Sequence, residues 1–440
     1  MNETVLLIGS GAREHAIATA LARSPQKPAI LCFGTARNPG IMDLARAYTT
    51  GSVTDITAIV AFARENQATL AVVGPEAPLA AGVADALWAS GIPAVGPTAS
   101  LARIESSKGF TRDLLTRHSI PGNPAFARFQ SMYGAEALLS ELGEKHVIKD
   151  DGLAGGKGVK VFGDHLHSRD ESLAYCRELA DAGHPFVIEE KLEGEEFSLL
   201  SFSDGTTLRH MPAAQDHKRA HEGDRGPNTG GMGSYTDADG SLPFLQPSDI
   251  LSAQQINEQV IAALGRECEA PYQGILYGGF MATGDGVRLI EYNARFGDPE
   301  ALNLLTLLET DFLAICRTIV DRTLDSLQVN FAPEASVCKY LVSDGYPDAP
   351  RRGDPVTLPA SLPPGATLYL GSVDARPEGI VSTGGRTIGV VGRAASIAAA
   401  EGLCESVVSA IRGPFVHRAD IGTTAALDRR IAHMRTLRPA

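Results

Sequence analysis

Lys149-Asp150-Asp151-Gly152-Leu153-Ala154-Gly155-Gly156-Lys157-Gly158-Val159 places four glycines within seven residues, with a lysine on either side. The apolar residues Val147-Ile148 before it and Val159-Lys160-Val161 after it have strand character, so the segment reads as a hairpin loop. A plain turn does not require so many glycines. Their freedom lets successive amides wrap an anion, and the flanking ammonium groups add charge, so the loop is suited to closing over a polyphosphate. A Walker loop is excluded, because Gly158 stands where Ser or Thr would follow the lysine. The competing reading is a glycine-rich hairpin that binds nothing.

Toward the amino terminus, apolar runs at Val5–Ile8, Ala29–Phe33 and Leu70–Val73 alternate with helical stretches from about Arg13 and around 56–65. That spacing predicts a parallel, doubly wound α/β sheet, whose ligands bind at the carboxyl ends of its strands. Gly9-Ser10-Gly11-Ala12-Arg13-Glu14-His15 and Gly74-Pro75-Glu76-Ala77-Pro78-Leu79 fall there. The first offers a phosphate the amides of a helix amino terminus. Glu14 replaces the third glycine of a dinucleotide fingerprint, which weighs against a nicotinamide cofactor. A helix beginning near Ser100 is expected to carry Lys108.

Toward the carboxyl terminus, Val187-Ile188-Glu189-Glu190-Lys191-Leu192 and Gly194-Glu195-Glu196 set carboxylates at the end of an apolar strand, where they can accept ribose hydroxyls. Strands over 276–281 and 287–292 form a hairpin across Gly284-Asp285-Gly286. The second runs into Glu291-Tyr292-Asn293-Ala294-Arg295-Phe296-Gly297-Asp298-Pro299-Glu300, and alternation puts Glu291, Asn293 and Arg295 on one face. Two oxygen donors beside a guanidinium suit a hard cation with nucleotide phosphates, although a structural ion-pair cluster has the same composition. Residues 213–233, with Asp216-His217-Lys218-Arg219 and Gly226-Pro227-Asn228-Thr229-Gly230-Gly231-Met232-Gly233, read as a polar surface loop. His217 and His221 lack a third ligand in register, and His165 and His167 read as a solvated hairpin tip.

The chain has 440 residues, so several domains are expected. The boundaries fall at 1–103 for the doubly wound unit, 104–330 for a central unit with a small lid subdomain over about 122–195, and 331–440 for a β-rich α+β unit. A formal charge of -13 repels nucleic acid. Six scattered cysteines without paired spacing read as reduced, buried thiols. The absence of a long apolar run or a cleavable leader points to a cytoplasmic protein with no membrane association.

Taken in order, these blocks resemble the ATP-grasp ligases, and among them the phosphoribosylamine–glycine ligase family. The combination of D-H-K-R, G-P-N-T-G-G-M-G and N-x-R-F-G-D-P-E carries the resemblance. It implies ATP-dependent joining of glycine to 5-phosphoribosylamine through a glycyl phosphate, in purine biosynthesis, by a monomer. Lys108 and Lys149 would then hold the nucleotide phosphates under a lid that includes Gly155, Gly156 and Lys157. Backbone near Glu189 and Leu192 would take adenine, and Glu196 the ribose. Glu291 and Asn293 would bind Mg²⁺ or Mn²⁺, with Arg295, Lys218 and Asp298 as catalytic residues. Phosphoribosylamine would lie between Gly11 and Glu76 on one side and Asp216, Arg219, Asn228, Thr229 and Gly230 on the other, its phosphate opposed by Lys218 and Arg219. An acidic residue common in such enzymes about a dozen positions before the metal glutamate is replaced by Gly279. Alternatives are an ATP-grasp ligase for another nucleophile, a nucleotide-binding regulator without turnover, and a dehydrogenase.

Overall fold

A computed structural model describes residues 3–153, 155 and 158–439, so Gly156 and Lys157 of the expected lid lie outside the described residues. The strand Thr4–Ile8 is buried along its whole length, as an apolar run must be when helices cover both faces of a parallel sheet. It lies at the centre of a five-stranded parallel sheet, ordered 45–50, 29–34, 4–8, 70–73, 94–95. Helices Ala12–Ala22 and Ile56–Glu65 fall at the expected positions.

The lid subdomain has its own antiparallel sheet, ordered 126–129, 186–190, 146–150, 159–161, and its own core of Leu139, Ile148, Leu173, Cys176, Phe186 and Ile188. The glycine-rich loop connects the strands His146–Asp150 and Val159–Val161. Behind the lid, a second antiparallel sheet runs 208–210, 194–204, 273–283, 286–293. The long helix Pro247–Cys268 packs against it with Ile256, Val260 and Leu264 buried.

Two expectations change. Lys108 is not inside a helix begun near Ser100: that helix is Ala99–Ser106, and Lys108 opens a second one, Lys108–Arg117. Ser107 is extended, and its side chain accepts from the Phe110 amide, so a serine cap restarts the helix and puts Lys108 on its first turn. Residues 213–233 are also not a surface loop. Gln215–Asp216 and Gly233–Thr236 are strands of the sheet otherwise built from Ala366–Leu370, Arg386–Ala394, Ala335–Ser343 and the short Phe415–Val416. Backbone pairing with Ala335–Ser343 buries what the polar composition placed in solvent. Between these strands, Arg219–His221 and Arg225–Asn228 form a separate hairpin. Among the described residues, no helix is long and apolar enough to cross a membrane.

Candidate active site

The parallel sheet, the lid sheet, the central antiparallel sheet and the sheet of the third unit all contribute to a cleft of about 760 Å³. The first unit supplies Arg13, Pro75 and Glu76 to its wall. Gly11 is not brought there, because Glu14 Oε2 takes its amide at 2.6 Å and closes the helix amino terminus that was expected to face a phosphate. Gly9 and Gly74 make room for this carboxylate. Gly9 has φ +108°, and a Cβ on Gly74 would sit 2.2 Å from Glu14 Oε1. Arg13 is buried, bonded to Glu14 at 2.6 Å and donating to the Phe296 carbonyl at 3.2 Å, so it joins the first unit to the 291–300 segment.

Lys108 and Lys149 enter the cleft from the helix start and the lid sheet. Lys108 Nζ donates to the Gly152 carbonyl at the base of the glycine-rich loop. Lys149 Nζ lies 2.8 Å from Glu189 and donates to the Ile290 carbonyl at 3.0 Å. Burial pulls the Lys149 ammonium below its usual range despite Glu189. Glu189 is itself gripped by both arms of Arg112, at 2.7 and 2.9 Å. Burial would raise its carboxyl, but Arg112 and Lys149 hold it down at about 2.

The other carboxylates of the run divide by partner. Glu190 meets Arg288, Glu195 meets Arg430 and His433, and Glu196 meets Lys218 at 3.1 Å. Glu196, like Glu189, is thus paired to a lysine of the cleft, and Leu192 also lies on its wall. Gly155 also lines the cleft.

Glu291 and Asn293 project from the strand Gly286–Asn293, as alternation requires. Glu291 is opposite Gly279, whose missing side chain keeps the space above it open. Lys218 Nζ stands 3.7 Å from Glu291. Burial would raise the Glu291 carboxyl, but Lys218, Lys149, Lys108 and Arg295 together keep it below its usual range. Burial also opposes the charge on Lys218, yet Glu196 and Glu291 hold that ammonium well above its usual value. The Glu291 carboxylate and the Asn293 amide oxygen, on one strand face and open to the cleft, are a donor set that fits a hard divalent cation.

Arg295 is past the strand end, with Glu105 at 2.8 Å, Glu76 at 3.4 Å and Asn293 Oδ1 at 3.3 Å. Asp298 is clamped by Arg386 of the third unit, at 3.0 Å, and by the Tyr340 hydroxyl. Arg386 also donates to the carbonyls of Gly230 and Asp298, tying together the two glycine-containing motifs. Asn228 and Thr229 complete that wall. Asp216 is beside them. Its Oδ1 is buried without a hydrogen-bond partner among the described residues, and burial, then Glu300, pushes its carboxyl well up.

Lys218 and Arg219 do not act as a pair. Arg219 is bonded to Asp164 at 2.8 Å and to His165 Nε2 at 3.1 Å, while Lys218 faces Glu196. Successive residues of an extended chain point to opposite sides, which separates them. His165 is accordingly not a solvated tip: its Nδ1 accepts from the Val161 amide and its ring packs toward Arg219. Sequence reasoning missed Arg112, Glu105, Arg386 and Arg430. Arg112 had a signal, since it is four residues after Lys108 and so on the same helical face. Arg386 and Arg430 had none, because tertiary packing brings them in from the third unit.

Family models for the N domain, the ATP-grasp (A) domain and the C domain of phosphoribosylglycinamide synthetase match residues 3–105, 106–301 and 336–424. A Methanosarcina acetivorans protein named phosphoribosylamine–glycine ligase is 46% identical over 438 residues, covering 100% of this chain and 98% of that one. A protein of the same name from Methanocaldococcus jannaschii is 44% identical over 441 residues, covering 99% of each. The crystal structure of phosphoribosylamine–glycine ligase from Thermotoga maritima superposes with a TM-score of 0.81 at 26% identity, over 95% of this chain and 99% of that one. An N5-carboxyaminoimidazole ribonucleotide synthetase solved with ADP shares the fold, at a TM-score of 0.63 and 16% identity over 92% of this chain and 96% of that one.

Proposed function

The chain belongs to the phosphoribosylglycinamide synthetase family, and on that premise we propose that its cleft joins glycine to 5-phosphoribosylamine at the expense of ATP. The products are glycinamide ribonucleotide, ADP and phosphate, and the step belongs to purine biosynthesis. One observation carries the reading: Lys218, Lys149, Lys108 and Arg295 line the same cleft as the Glu291 carboxylate, in a chain of net charge -13. Such a local excess of cations around an ionised oxygen donor suits a polyphosphate with its metal.

A carboxylate is a poor acceptor for an amine until it carries a leaving group. Transfer of the ATP γ-phosphoryl group to a glycine oxygen supplies one. The ribosylamine nitrogen then attacks the acyl carbon and phosphate departs. The protein's part is chiefly to align these groups and to meet developing charge. Lys108 and Lys149 receive the nucleotide phosphates, and the hairpin with Gly155, Gly156 and Lys157 closes over them. Backbone at Glu189 and Leu192 takes adenine, and Glu196 takes ribose hydroxyls. Glu291 and Asn293 would hold Mg²⁺ or Mn²⁺, which offsets phosphate charge when bound. Arg295 meets charge on the transferring phosphoryl group, and Asp298 attracts the glycine ammonium. Glu76 faces the ribosylamine across from Asp216, Lys218, Asn228, Thr229 and Gly230. The division at 1–103, 104–330 and 331–440, a monomeric state and a cytoplasmic location complete the proposal.

The test is ADP release from purified protein with ATP and Mg²⁺, with glycine and freshly made phosphoribosylamine each present or omitted. Release that needs both, with glycinamide ribonucleotide as product, is expected. Turnover only with another carboxylate or amine would reject the substrate assignment and leave the nucleotide site intact.

A further inference from the structure

The last helix, Thr424–Leu437, folds back across the strand Gly194–Asp204, although it lies beyond the sheet of the third unit. Two of its side chains, Arg430 and His433, make the contact. Arg430 Nη1 lies 2.8 Å from Glu195 Oε2, and Arg430 Nη2 lies 2.5 Å from Asp224 Oδ2. His433 Nδ1 lies 2.6 Å from the other oxygen of Glu195. Arg418 completes the group, bonded to Asp224 at 2.9 Å and to the Arg219 carbonyl at 3.1 Å.

Alternation puts Glu195 and Glu196 on opposite faces of their strand. Glu195 is buried against the last helix, while Glu196 faces the cleft and meets Lys218. Asp224 is the turn of the hairpin Arg219–His221 and Arg225–Asn228, which runs from Lys218 on one side to Asn228 on the other. Arg430 thus bridges, with one fork, the strand that carries the ribose carboxylate and the hairpin that carries the ribosylamine wall. It also lines the cleft itself. A planar guanidinium holds two carboxylates at a fixed spacing, whereas an ammonium on a flexible stem can serve one without fixing the other.

We propose that Arg430 is a positioning residue for both nucleotide and ribosylamine: by bridging Glu195 and Asp224 it holds the strand of Glu196 and the hairpin that follows Lys218 in the register at which those two side chains meet at the cleft. The proposal rests on the functional reading above. Glycine, whose ammonium is assigned to Asp298, is placed by a residue that Arg386 and Tyr340 clamp and Arg430 does not touch. Its binding is therefore insulated from the bridge.

Full-length wild type, Arg430→Ala and Arg430→Lys are compared by steady-state kinetics with each substrate varied in turn, by ADP titration calorimetry and by thermal unfolding. Displacing a binding group by about 1 Å costs on the order of 100-fold, so Arg430→Ala should raise the KM for ATP and for phosphoribosylamine by about 10- to 100-fold. The KM for glycine should be unchanged, ADP affinity should fall in step, and Arg430→Lys should lie between. Added guanidinium at low millimolar concentration should restore Arg430→Ala and leave wild type unaffected. Unchanged KM values would overturn the proposal. So would a uniform loss with all three substrates that follows the melting temperature and ignores guanidinium, since that is a fold effect only. Should Arg430→Ala fail to fold, Asp224→Asn weakens the hairpin arm, together with the Arg418 contact to the same carboxylate, and leaves the Glu195 arm in place. It should raise the KM for phosphoribosylamine and spare ADP affinity, and no change would reject the bridge. Wild type that binds ADP but makes no glycinamide ribonucleotide would sink the functional reading instead, while the ADP comparison would still report on Arg430.

Discussion

Glu105 holds Arg295 at 2.8 Å with one carboxylate oxygen and takes the Ala294 amide at 2.7 Å with the other. A buried acid at the end of the helix Ala99–Ser106 therefore aims the guanidinium that follows the strand of Glu291 and Asn293. Burial, against the pull of Arg295, already pushes the Glu105 carboxyl above its usual range. Removing Arg295 shifts Glu105 toward its neutral form rather than stranding a charge, so the fold should survive the change. Arg295→Ala is expected to lower kcat by about 100- to 1,000-fold, the usual cost of losing one preorganised donor, with ATP affinity changed only slightly. Single-turnover ADP formation and nucleotide titration measure the two parts, and unchanged turnover rejects the role.

Glu291→Gln keeps the shape of the side chain and removes its charge. Loss of even an outer-shell partner costs metal sites about 10- to 100-fold in affinity, so a direct ligand should raise the half-saturating Mg²⁺ concentration by at least about tenfold. Activity against Mg²⁺ at fixed ATP checks this. An unaltered metal requirement moves the site elsewhere.

The Arg112–Glu189–Lys149 cluster predicts both stability and its acid limit. Glu189 has a folded-state carboxyl at about 2, below its ordinary 4.5. Its contribution is therefore complete above pH 4.5 and is lost as pH falls toward 2. Arg112→Met removes one of the two cations around that buried carboxylate and should cost about 3–5 kcal/mol. Urea unfolding at pH 7 measures the loss, and the variant should also unfold at a higher pH than wild type during acid titration.

His15 gives a separate pH signature nearer neutrality. Its ring is buried against Tyr369, Nδ1 accepts from the Leu370 amide at 2.9 Å, and burial lowers its pKa to about 4 from 6.5. The unfolded chain binds the proton more readily, so stability is full above pH 6.5 and falls as pH drops through that value toward 4. His15→Gln removes this titration. Urea midpoints between pH 4 and 6.5 should vary less in the variant than in wild type.

Gly74→Ala tests the packing under the first motif. The added methyl would meet Glu14 Oε1 at 2.2 Å, and Glu14 is fixed by the Gly11 amide and by Arg13. The overpacking should cost about 1–3 kcal/mol in urea unfolding.

Features with a local physical cause were legible in the sequence. Thr4–Ile8 is a continuous apolar run because both faces of its sheet are covered, and Glu291 and Asn293 share a face because the strand is regular. The glycine-rich hairpin also announced itself. The edge strand Ala45–Thr50 did not, being half-exposed and without an apolar run. Gln215–Asp216 and Gly233–Thr236 are strands only because Ala335–Ser343 pairs with one of them, which in turn pairs with the other. The helix break at Ser107 was readable from serine capping, yet Ala99 to Arg117 runs on without a proline or an interior pause strong enough to mark it. Arg386 on Asp298 and Arg430 on Glu195 depend on how the third unit docks, which no local pattern encodes.

The pairing of Gly233–Thr236 with Ala335–Ser343 has a consequence for the order in which the protein is made. On the ribosome, the glycine-rich stretch 226–233 emerges well before the strand that gives it a backbone partner. A nascent chain that has completed the lid subdomain still has an unpaired edge where the proposed ribosylamine wall belongs. Substrate competence is thus deferred until the third unit has emerged. A fragment ending near 330 should therefore behave as an aggregation-prone nucleotide binder and not as a slow version of the whole enzyme.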